Sequence, residues 1–216
     1  IRHDDTDLVA WDNLSNLLYE EYSYTEAADA ARCAIEISSR LGDSGFCAVS
    51  YHQLTGCLLE QRDWDGAKAT CEEAIRLGFG SVLPNHSSHF VLGISLEELG
   101  DFDRAEDEYR LAIADDYYRC PLSYTYLATL LACRRENYVG AKEKLNAAIR
   151  VDSICPLPWE KLGALLEEKF DDIAGAEAAF RTAVGCGGWP GGHDSSVGRT
   201  KERLGVLLQA KGSTSS

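Results

Sequence analysis

Eight cysteines are the residues of this 216-residue sequence best suited to metal or redox chemistry, and two of them begin the same word, Cys-Pro-Leu, at Cys120 and Cys155. A zinc site usually holds two cysteines about two to four residues apart, whereas no two cysteines here are closer than ten residues. Disulfide frameworks are typical of short secreted chains. We therefore interpret the cysteines as small buried apolar residues in a reducing compartment, and predict that Cys120 and Cys155 are not bonded to each other.

The other reactive residue types form no catalytic or ligand-binding motif in the sequence. None of the five histidines belongs to an HExxH motif or stands beside a cysteine. The glycine-rich stretch 185–198 lacks the GxxxxGK[ST] pattern of a phosphate loop, and we interpret it as a connector. The acidic stretches lack the ligand spacing of a calcium loop. We therefore predict no catalytic residue, no metal and no cofactor, and expect that the chain is not an enzyme.

Charge narrows the class of partner. The formal net charge is −14 and the isoelectric point is about 4.7, so phosphate backbones and anionic lipid surfaces are repelled. No apolar run approaches the roughly 18 residues of a membrane span. We expect protein partners with basic segments, no nucleic acid, no membrane insertion and an intracellular location in the cytoplasm or an organelle. The sequence starts at Ile1 and contains no methionine, so we expect a processed or longer parent chain.

The elements that position these residues follow from an internal repeat. Five pairs of alanines lie seven residues apart, and successive pairs are separated by 40, 38, 36 and 35 residues. These pairs are Ala27/Ala34, Ala67/Ala74, Ala105/Ala112, Ala141/Ala148 and Ala176/Ala183. Two turns of one helix separate the members of each pair, so each pair marks one face of a helix. The sequence therefore predicts five helices of one kind.

A second pattern precedes each alanine pair. It consists of a ring, a leucine three residues later, a small residue beside that leucine, and another leucine three residues further on. It reads Trp11-Leu14-Ser15-Leu18, Tyr51-Leu54-Thr55-Leu58, His89-Leu92-Gly93-Leu96, Tyr124-Leu127-Ala128-Leu131 and Trp159-Leu162-Gly163-Leu166. This spacing predicts a first helix, whose small residue lets the second helix approach closely. Between them stands a bulky residue: Tyr24, Trp64, Phe102, Tyr138 or Ile173. Aspartates in "RDWD" and "GDFD" are placed to cap the second helix.

These patterns resemble the tetratricopeptide repeat, and "WEKLGALL" and "HFVLGISLEELGDFDRAEDEYRLAI" carry the resemblance most clearly. It implies an all-α, right-handed superhelical solenoid of antiparallel helix pairs with about eleven helices, forming one array over residues 1–216. The expected repeats are 8–39, 48–79, 86–117, 121–153 and 156–186. A glycine-rich connector 185–198 and a capping helix 199–211, at "RTKERLGVLLQAKG", complete the array.

The sequence departs from the family pattern in several places. Ala31 and Cys71 stand where a larger aromatic is common, and His89 replaces Trp or Tyr. The turns within the fourth and fifth repeats carry one extra residue. The stretches "SSRLGDSG" and "GFGSVLPNHSS" are expected to be extended connections between repeats, of the kind that can carry binding function.

The resemblance implies that first helices line a concave groove that holds a partner segment. The predicted groove residues are Asp12, Asn16, Tyr19, His52, Phe90, Ile94, Glu97, Leu122, Thr125, Thr129, Glu160 and Glu167. The middle of this set is apolar and its ends are polar to acidic, so we expect an apolar or amphipathic partner segment with basic flanks. Chaperone-binding members hold the C-terminal carboxylate of a peptide with a clamp of Lys, Asn, Lys and Arg. Of that clamp only Asn16 matches, with Asp12, Ser87 and Val91 at the cationic positions, so we expect no clamp.

The function expected from this reading is a non-catalytic interaction module, acting as an adaptor or as a subunit of a larger assembly. One alternative is the regulatory or substrate-binding arm of an enzyme whose catalytic domain lies outside this sequence. Another is single-stranded RNA binding by a pentatricopeptide-like array, which also repeats near 35 residues. The acidic charge and the Trp/Leu/Gly pattern both count against the RNA reading.

Overall fold

In the computed structural model the described residues are 7–79, 88–114, 120–186 and 194–213, with side chains described from 198 to 209 in the last segment. These residues form eleven α-helices and no strand. The helices are α1 (Leu8–Glu20), α2 (Tyr24–Leu41), α3 (Ser44–Glu60), α4 (Trp64–Arg76), α5 (Ser88–Glu98), α6 (Phe102–Ala114), α7 (Pro121–Arg134), α8 (Tyr138–Val151), α9 (Pro156–Phe170), α10 (Ile173–Gly185) and α11 (Asp194–Ser213). The chain divides into two compact units, 1–118 with α1 to α6 and 119–216 with α7 to α11.

Within each unit, helices pack in the order in which they occur along the chain. Every second helix contacts the first helix of its own pair, and α2, α4, α8 and α10 also contact the first helix that follows them. In addition, α1 contacts α3, α3 contacts α5, and α7 contacts α9. The all-α fold of stacked helix pairs is confirmed. Each pair leaves an apolar face that only its neighbour covers, which is the physical basis of a repeat array.

In four of the five repeats an Asp or Asn side chain in the turn between the paired helices caps the second helix, whereas Ser23 of the first repeat makes no such bond. Asp63 accepts a hydrogen bond from the Gly66 N–H at 3.0 Å, and Asp101 accepts one from the Arg104 N–H at 3.3 Å, as the sequence predicts. The five bulky residues between the two patterns are the first residues of α2, α4, α6, α8 and α10. Each turn also holds one residue at positive φ: Tyr22, Arg62, Gly100, Glu136 and Asp171.

The extra residue in the turns of the fourth and fifth repeats is visible in the backbone hydrogen bonds. In the earlier turns the capping residue donates its N–H to the carbonyl five residues before it, as Asp63 does to Leu58 at 2.9 Å. In the later turns the span is six residues, as from Asn137 to Leu131 at 2.9 Å and from Asp172 to Leu166 at 3.0 Å. The second helix consequently starts one residue later relative to the leucines of the first.

In the third and fifth repeats the small residue of the first helix lies against a large ring of the second helix. A Cβ added to Gly93 would lie 2.6 Å from the Tyr109 ring, and one added to Gly163 would lie 2.7 Å from the Phe180 ring. Both rings are fully buried. Where the second helix carries only Ala31, the small position holds Ser15, whose hydroxyl donates to the Ala27 carbonyl at 3.0 Å. Small first-helix residues therefore set the distance between paired helices, as predicted.

Two expected boundaries are wrong. The stretch "SSRLGDSG" is not an extended connection, because α2 continues to Leu41 and α3 begins at Ser44. Gly42, at φ 70°, ends α2, and the Asp43 carboxylate caps α3 by accepting from the Phe46 N–H at 3.1 Å. The last helix starts at Asp194 rather than 199, so it includes the end of the expected connector. Residues 80–87 of the other connection and 187–193 of the glycine-rich stretch lie outside the described residues.

Candidate functional site

A pocket of about 350 Å³ opens between the first helices α1, α3 and α5 of the unit 1–118. Its lining residues are Ser15, Asn16, Tyr19, His52, Gln53, Thr55, Gly56, Cys57, Leu59, Glu60 and Val91. Three of the predicted groove residues, Asn16, Tyr19 and His52, line it together. We call it the first-helix pocket.

Gly56 makes room for this pocket. A Cβ at this position would lie 3.7 Å from Tyr19, which is ordinary contact, and nothing else would lie within 4 Å. Gly56 does not receive a ring from its second helix, as Gly93 does; it leaves open space between α1 and α3. A glycine inside a helix destabilises it by about 0.5–1 kcal/mol relative to alanine. At Gly56 the structural effect of the glycine is the open space of the pocket.

The charge of the lining is acidic. Glu60 is the one carboxylate in the lining, and neither Lys nor Arg is among the lining residues. The Tyr19 hydroxyl donates to Glu60 Oε1 at 3.4 Å. Burial, followed by the Glu60 charge, raises the pKa of Tyr19 to about 12, so its hydroxyl keeps its proton and remains a donor. Glu60 itself was missed from the sequence, because His52 was the one groove residue predicted in α3.

Asp12 lies next to Gln53, which lines the pocket. Burial raises the pKa of the Asp12 carboxyl, while a hydrogen bond from Gln53 acts in the opposite direction. Asp12 Oδ1 and Gln53 Oε1 are buried, and neither has a hydrogen-bond partner among the described residues. Two buried acceptor oxygens are thus left without a donor, which costs free energy in the folded state.

The predicted groove residues of α5 differ in their exposure. Phe90 is only 7% exposed and packs with its ring centroid 6.2 Å from that of Tyr109, so its prediction as a partner-contacting residue is corrected to a core position. Ile94 is half-buried and can still be reached. Glu97 accepts a hydrogen bond from the Tyr109 hydroxyl at 2.8 Å, so its carboxylate holds a core ring in place.

In the unit 119–216, the predicted residues of α7 lie at different depths. Leu122 and Thr129 are half-buried, whereas Thr125 is fully buried and donates its hydroxyl to the Pro121 carbonyl at 2.7 Å. The prediction that Thr125 contacts a partner is therefore corrected. Its side chain packs within the core, and its hydroxyl makes its hydrogen bond to a carbonyl of the same helix.

The two acidic groove positions of α9 are engaged by α11. Glu160 accepts from the Thr200 hydroxyl at 3.1 Å, and Glu167 accepts from Arg203 at 2.7 Å. Arg203 also donates to Glu168 at 2.9 Å and lies 5.4 Å from the centroid of the Phe180 ring. Both carboxylates thus have hydrogen-bond partners within the unit, a result that the sequence pattern did not indicate because it treats each helix separately.

A second pocket, of about 530 Å³, lies in this unit among α7, α8, α9 and α11. Thr129 is the predicted groove residue in its lining, which also carries Lys161, Lys169 and Arg203 against Glu136 and Glu168. The charges of this pocket are therefore mixed, in contrast with the acidic first-helix pocket.

Five of the eight cysteines are buried as apolar core residues, whereas Cys133 is exposed and Cys33 and Cys186 are half-buried. Cys47, Cys57, Cys71, Cys120 and Cys155 are buried, and the structure joins no two of the cysteines by a disulfide. Burial raises the pKa of the Cys57 thiol to about 11 and that of Cys71 to about 12. At neutral pH both are protonated thiols, which are poor nucleophiles and poor metal ligands. No group of three or more His, Cys, Asp or Glu side chains with metal-binding geometry occurs among the residues described above.

Sequence and structure comparisons agree with this architecture. Residues 58–119 match the tetratricopeptide repeat profile. A comparison with curated protein sequences finds no significant match. Among solved structures, the chain is similar to YrrB, described as a TPR protein with an unusual peptide-binding site, at 18% identity and a TM-score of 0.57, covering 92% of this chain and 94% of YrrB. The chain has the tetratricopeptide-repeat fold.

Two further structures show the same TPR-like arrangement. BtubC from P. vanneervenii is 17% identical over 88% of this chain and 84% of its own, with a TM-score of 0.69. The APC/C hetero-tetramer Cut9–Hcn1 gives a TM-score of 0.73 at 16% identity, covering 97% of this chain but only 38% of that one. The predicted resemblance to the tetratricopeptide repeat is confirmed. Among the described residues, no helix is both long and apolar enough to cross a bilayer.

Proposed function

We propose that the chain is a non-catalytic protein–protein interaction module, an adaptor or a subunit of a larger assembly, which holds a partner segment against its first helices. The observation that carries the proposal is the first-helix pocket. It lies on the face formed by α1, α3 and α5, and it brings together Asn16, Tyr19 and His52 from two helices. A helix-pair fold of this kind is an interaction scaffold in general, and YrrB shows that one such protein has a peptide-binding site.

The chemistry of the pocket supports a partner segment that is apolar in its middle and basic at one flank. Leu59 and Val91 supply apolar lining, and Ile94 is half-buried on the neighbouring helix α5. Glu60 supplies a negative charge, and neither Lys nor Arg lines the pocket. A carboxylate-terminated peptide would face this charge without a compensating cation, so the expectation that this face has no carboxylate clamp stays part of the proposal.

Filling the pocket tests the proposal. Gly56→Leu places a side chain in the open space at α3 and also removes the helix cost of glycine, so folding should be unimpaired. Partners captured by the tagged 216-residue chain from its source cells should be lost or strongly reduced with Gly56→Leu. The matched control is Gly205→Leu in α11, where an added Cβ meets nothing within 4 Å; this variant should capture the same proteins as the unmodified chain.

Ile94→Asp provides a second test, because the half-buried position accepts a charge more readily than the buried Phe90. It should reduce capture of the same proteins while far-ultraviolet circular dichroism remains unchanged. If the captured proteins are recovered in equal amounts with Gly56→Leu and Ile94→Asp, binding takes place elsewhere on the chain and the proposed site is wrong.

A further inference from the structure

Three tyrosine rings cluster where α1 meets α2. Tyr19 lies in the last turn of α1, Tyr22 in the connecting turn, and Tyr24 is the first residue of α2. The Tyr19 and Tyr24 centroids are 5.3 Å apart with the planes at 64°, and the Tyr22 and Tyr24 centroids are 6.2 Å apart at 82°. Tyr24 is thus the centre of two edge-to-face contacts, and Tyr19 extends the cluster to the first-helix pocket.

The fold does not require a ring at Tyr22. Its side chain is 79% exposed, and its backbone is at φ 62°, a conformation that costs a non-glycine residue roughly 1–2 kcal/mol. The equivalent turn residues Arg62, Gly100, Glu136 and Asp171 are at positive φ but are not aromatic. The repeat geometry therefore accounts for the backbone at this position and leaves the exposed ring unexplained.

The cluster lies in a negative potential. Glu60 accepts the Tyr19 hydroxyl hydrogen bond. Its charge contributes, after burial, to raising the pKa of both Tyr19 and Tyr24, which shows that the field of the carboxylate reaches both rings. Tyrosine faces attract cations through their quadrupole, and the pocket that Tyr19 and Glu60 line includes neither Lys nor Arg. The tyrosine rings and the Glu60 carboxylate therefore both favour a cationic ligand.

We propose that Tyr19, Tyr22, Tyr24 and Glu60 form a subsite, here called the tyrosine subsite, that binds an arginine side chain from the basic flank of the partner segment. The guanidinium group stacks on a tyrosine face and donates its N–H groups to the Glu60 carboxylate. Arginine suits this arrangement better than lysine, because its planar, weakly hydrated group can stack and donate two hydrogen bonds at once. The subsite rests on the proposed function, since it extends the first-helix pocket.

A small probe tests the subsite independently of the partner. N-acetyl-arginine amide is titrated into the 216-residue chain, and the aromatic resonances of the three tyrosines are followed by nuclear magnetic resonance. N-acetyl-norleucine amide, a neutral side chain of similar length, is the comparison. We expect saturable shifts of the three tyrosine rings with the arginine probe and none with the norleucine probe. Equal shifts with both probes, or equally tight binding of N-acetyl-lysine amide, overturn the assignment to arginine.

Variants locate the binding. Tyr22→Ser should weaken arginine-probe affinity about two- to fivefold, the usual contribution of one ring at an exposed site. Glu60→Gln should weaken it by a similar factor through loss of the charge. Both side chains are exposed, so the fold survives either change. Glu36→Gln, an exposed carboxylate of α2 outside the pocket lining, is the charge-matched control and should bind as the unmodified chain does. Unchanged affinity in both Tyr22→Ser and Glu60→Gln overturns the subsite.

The two proposals fail in different ways. If Gly56→Leu abolishes partner capture but the arginine probe does not bind, the interaction site stands and the tyrosine subsite is wrong. If the probe binds and depends on Tyr22 and Glu60 while partner capture is indifferent to Gly56→Leu, the subsite exists and the proposed function of the pocket is wrong.

Discussion

Replacing Gly93 by alanine should destabilise the protein even though alanine is the better helix former. The new Cβ would lie 2.6 Å from two atoms of the Tyr109 ring. That ring has no room to move, because it is fully buried and its hydroxyl is held by Glu97 at 2.8 Å. Overpacking of a fixed core costs about 1–3 kcal/mol, and alanine returns about 1 kcal/mol of helix propensity. With a clash this short, we expect a net loss of about 2 kcal/mol.

The reasoning makes a stronger prediction for the double variant. Tyr109→Leu should cost about 2 kcal/mol by itself, since it removes a buried ring and a hydrogen bond. In that background Gly93→Ala no longer meets a ring and should stabilise the protein by up to about 1 kcal/mol. The fourth repeat already has this pairing, with Ala128 and Leu145 both buried. The effect of one substitution thus changes sign with its neighbour, which is a coupling of about 3 kcal/mol.

Urea unfolding followed by circular dichroism measures the free energy of unfolding for the four members of this cycle. Gly205→Ala is the control for helix propensity, because its position is exposed with nothing within 4 Å; it should stabilise the protein by up to about 1 kcal/mol with or without Tyr109→Leu. Additive effects of Gly93→Ala and Tyr109→Leu would refute the size-matching argument.

Four other substitutions should test the structure through the free energy of unfolding. Arg62→Gly removes a side chain from a turn at φ 57° and should raise the value by about 1 kcal/mol; a decrease in urea midpoint would contradict this. Leu17 and Leu130 occupy the same repeat position but are 60% and 0% exposed. We expect Leu17→Ala to lower the free energy of unfolding by less than about 0.5 kcal/mol and Leu130→Ala to lower it by about 2–5 kcal/mol. Equal losses would count against the repeat alignment. Asp12 has a raised pKa, so its ionised form destabilises the folded state and this penalty disappears as pH falls below the ordinary carboxyl pKa. Asp12→Asn, whose amide can donate to Gln53, should therefore raise the value by about 0.5–1.5 kcal/mol at pH 7, and by less near pH 3; a gain independent of pH would rule out the charge as its cause.

Most of the fold follows from patterns that repeat within the sequence. The ring-Leu-small-Leu pattern and the paired alanines identify the first and second helices, because each repeat imposes the same contacts on the same positions. The boundaries were less predictable where a helix exceeds the repeat. The polar stretch "SSRLGDSG" is typical of a loop. In the structure, however, Gly42 and the capping Asp43 alone separate two long helices.

The candidate site was predictable only in part, since depth within the array depends on neighbours that one helix cannot reveal. Asn16, Tyr19 and His52 line one pocket, as their predicted positions on the groove face of the first helices suggest. Thr125 occupies a similar column position but is buried, and Glu167 is engaged by Arg203 from α11, 36 residues away. Glu60 was missed because the exposed face of a helix includes more positions than the ones chosen at equivalent places in each repeat. A periodic pattern predicts which face of a helix a side chain lies on. How exposed that side chain is depends on the helices packed around it.

The extra residue in the turns of the fourth and fifth repeats leaves the second helices of the third and fifth repeats interchangeable. The small residue of a first helix and its partner in the second are 16 residues apart for Gly93 and Tyr109 but 17 apart for Gly163 and Phe180. Both rings nevertheless stand seven residues after the first residue of their second helix, Phe102 or Ile173, so the difference lies in the turn alone. Chimeras whose junction falls at the start of the second helix are therefore expected to fold with the ring against the glycine of the recipient. A one-residue deletion within the second helix, before the ring, would instead turn the ring about 100° away from that glycine.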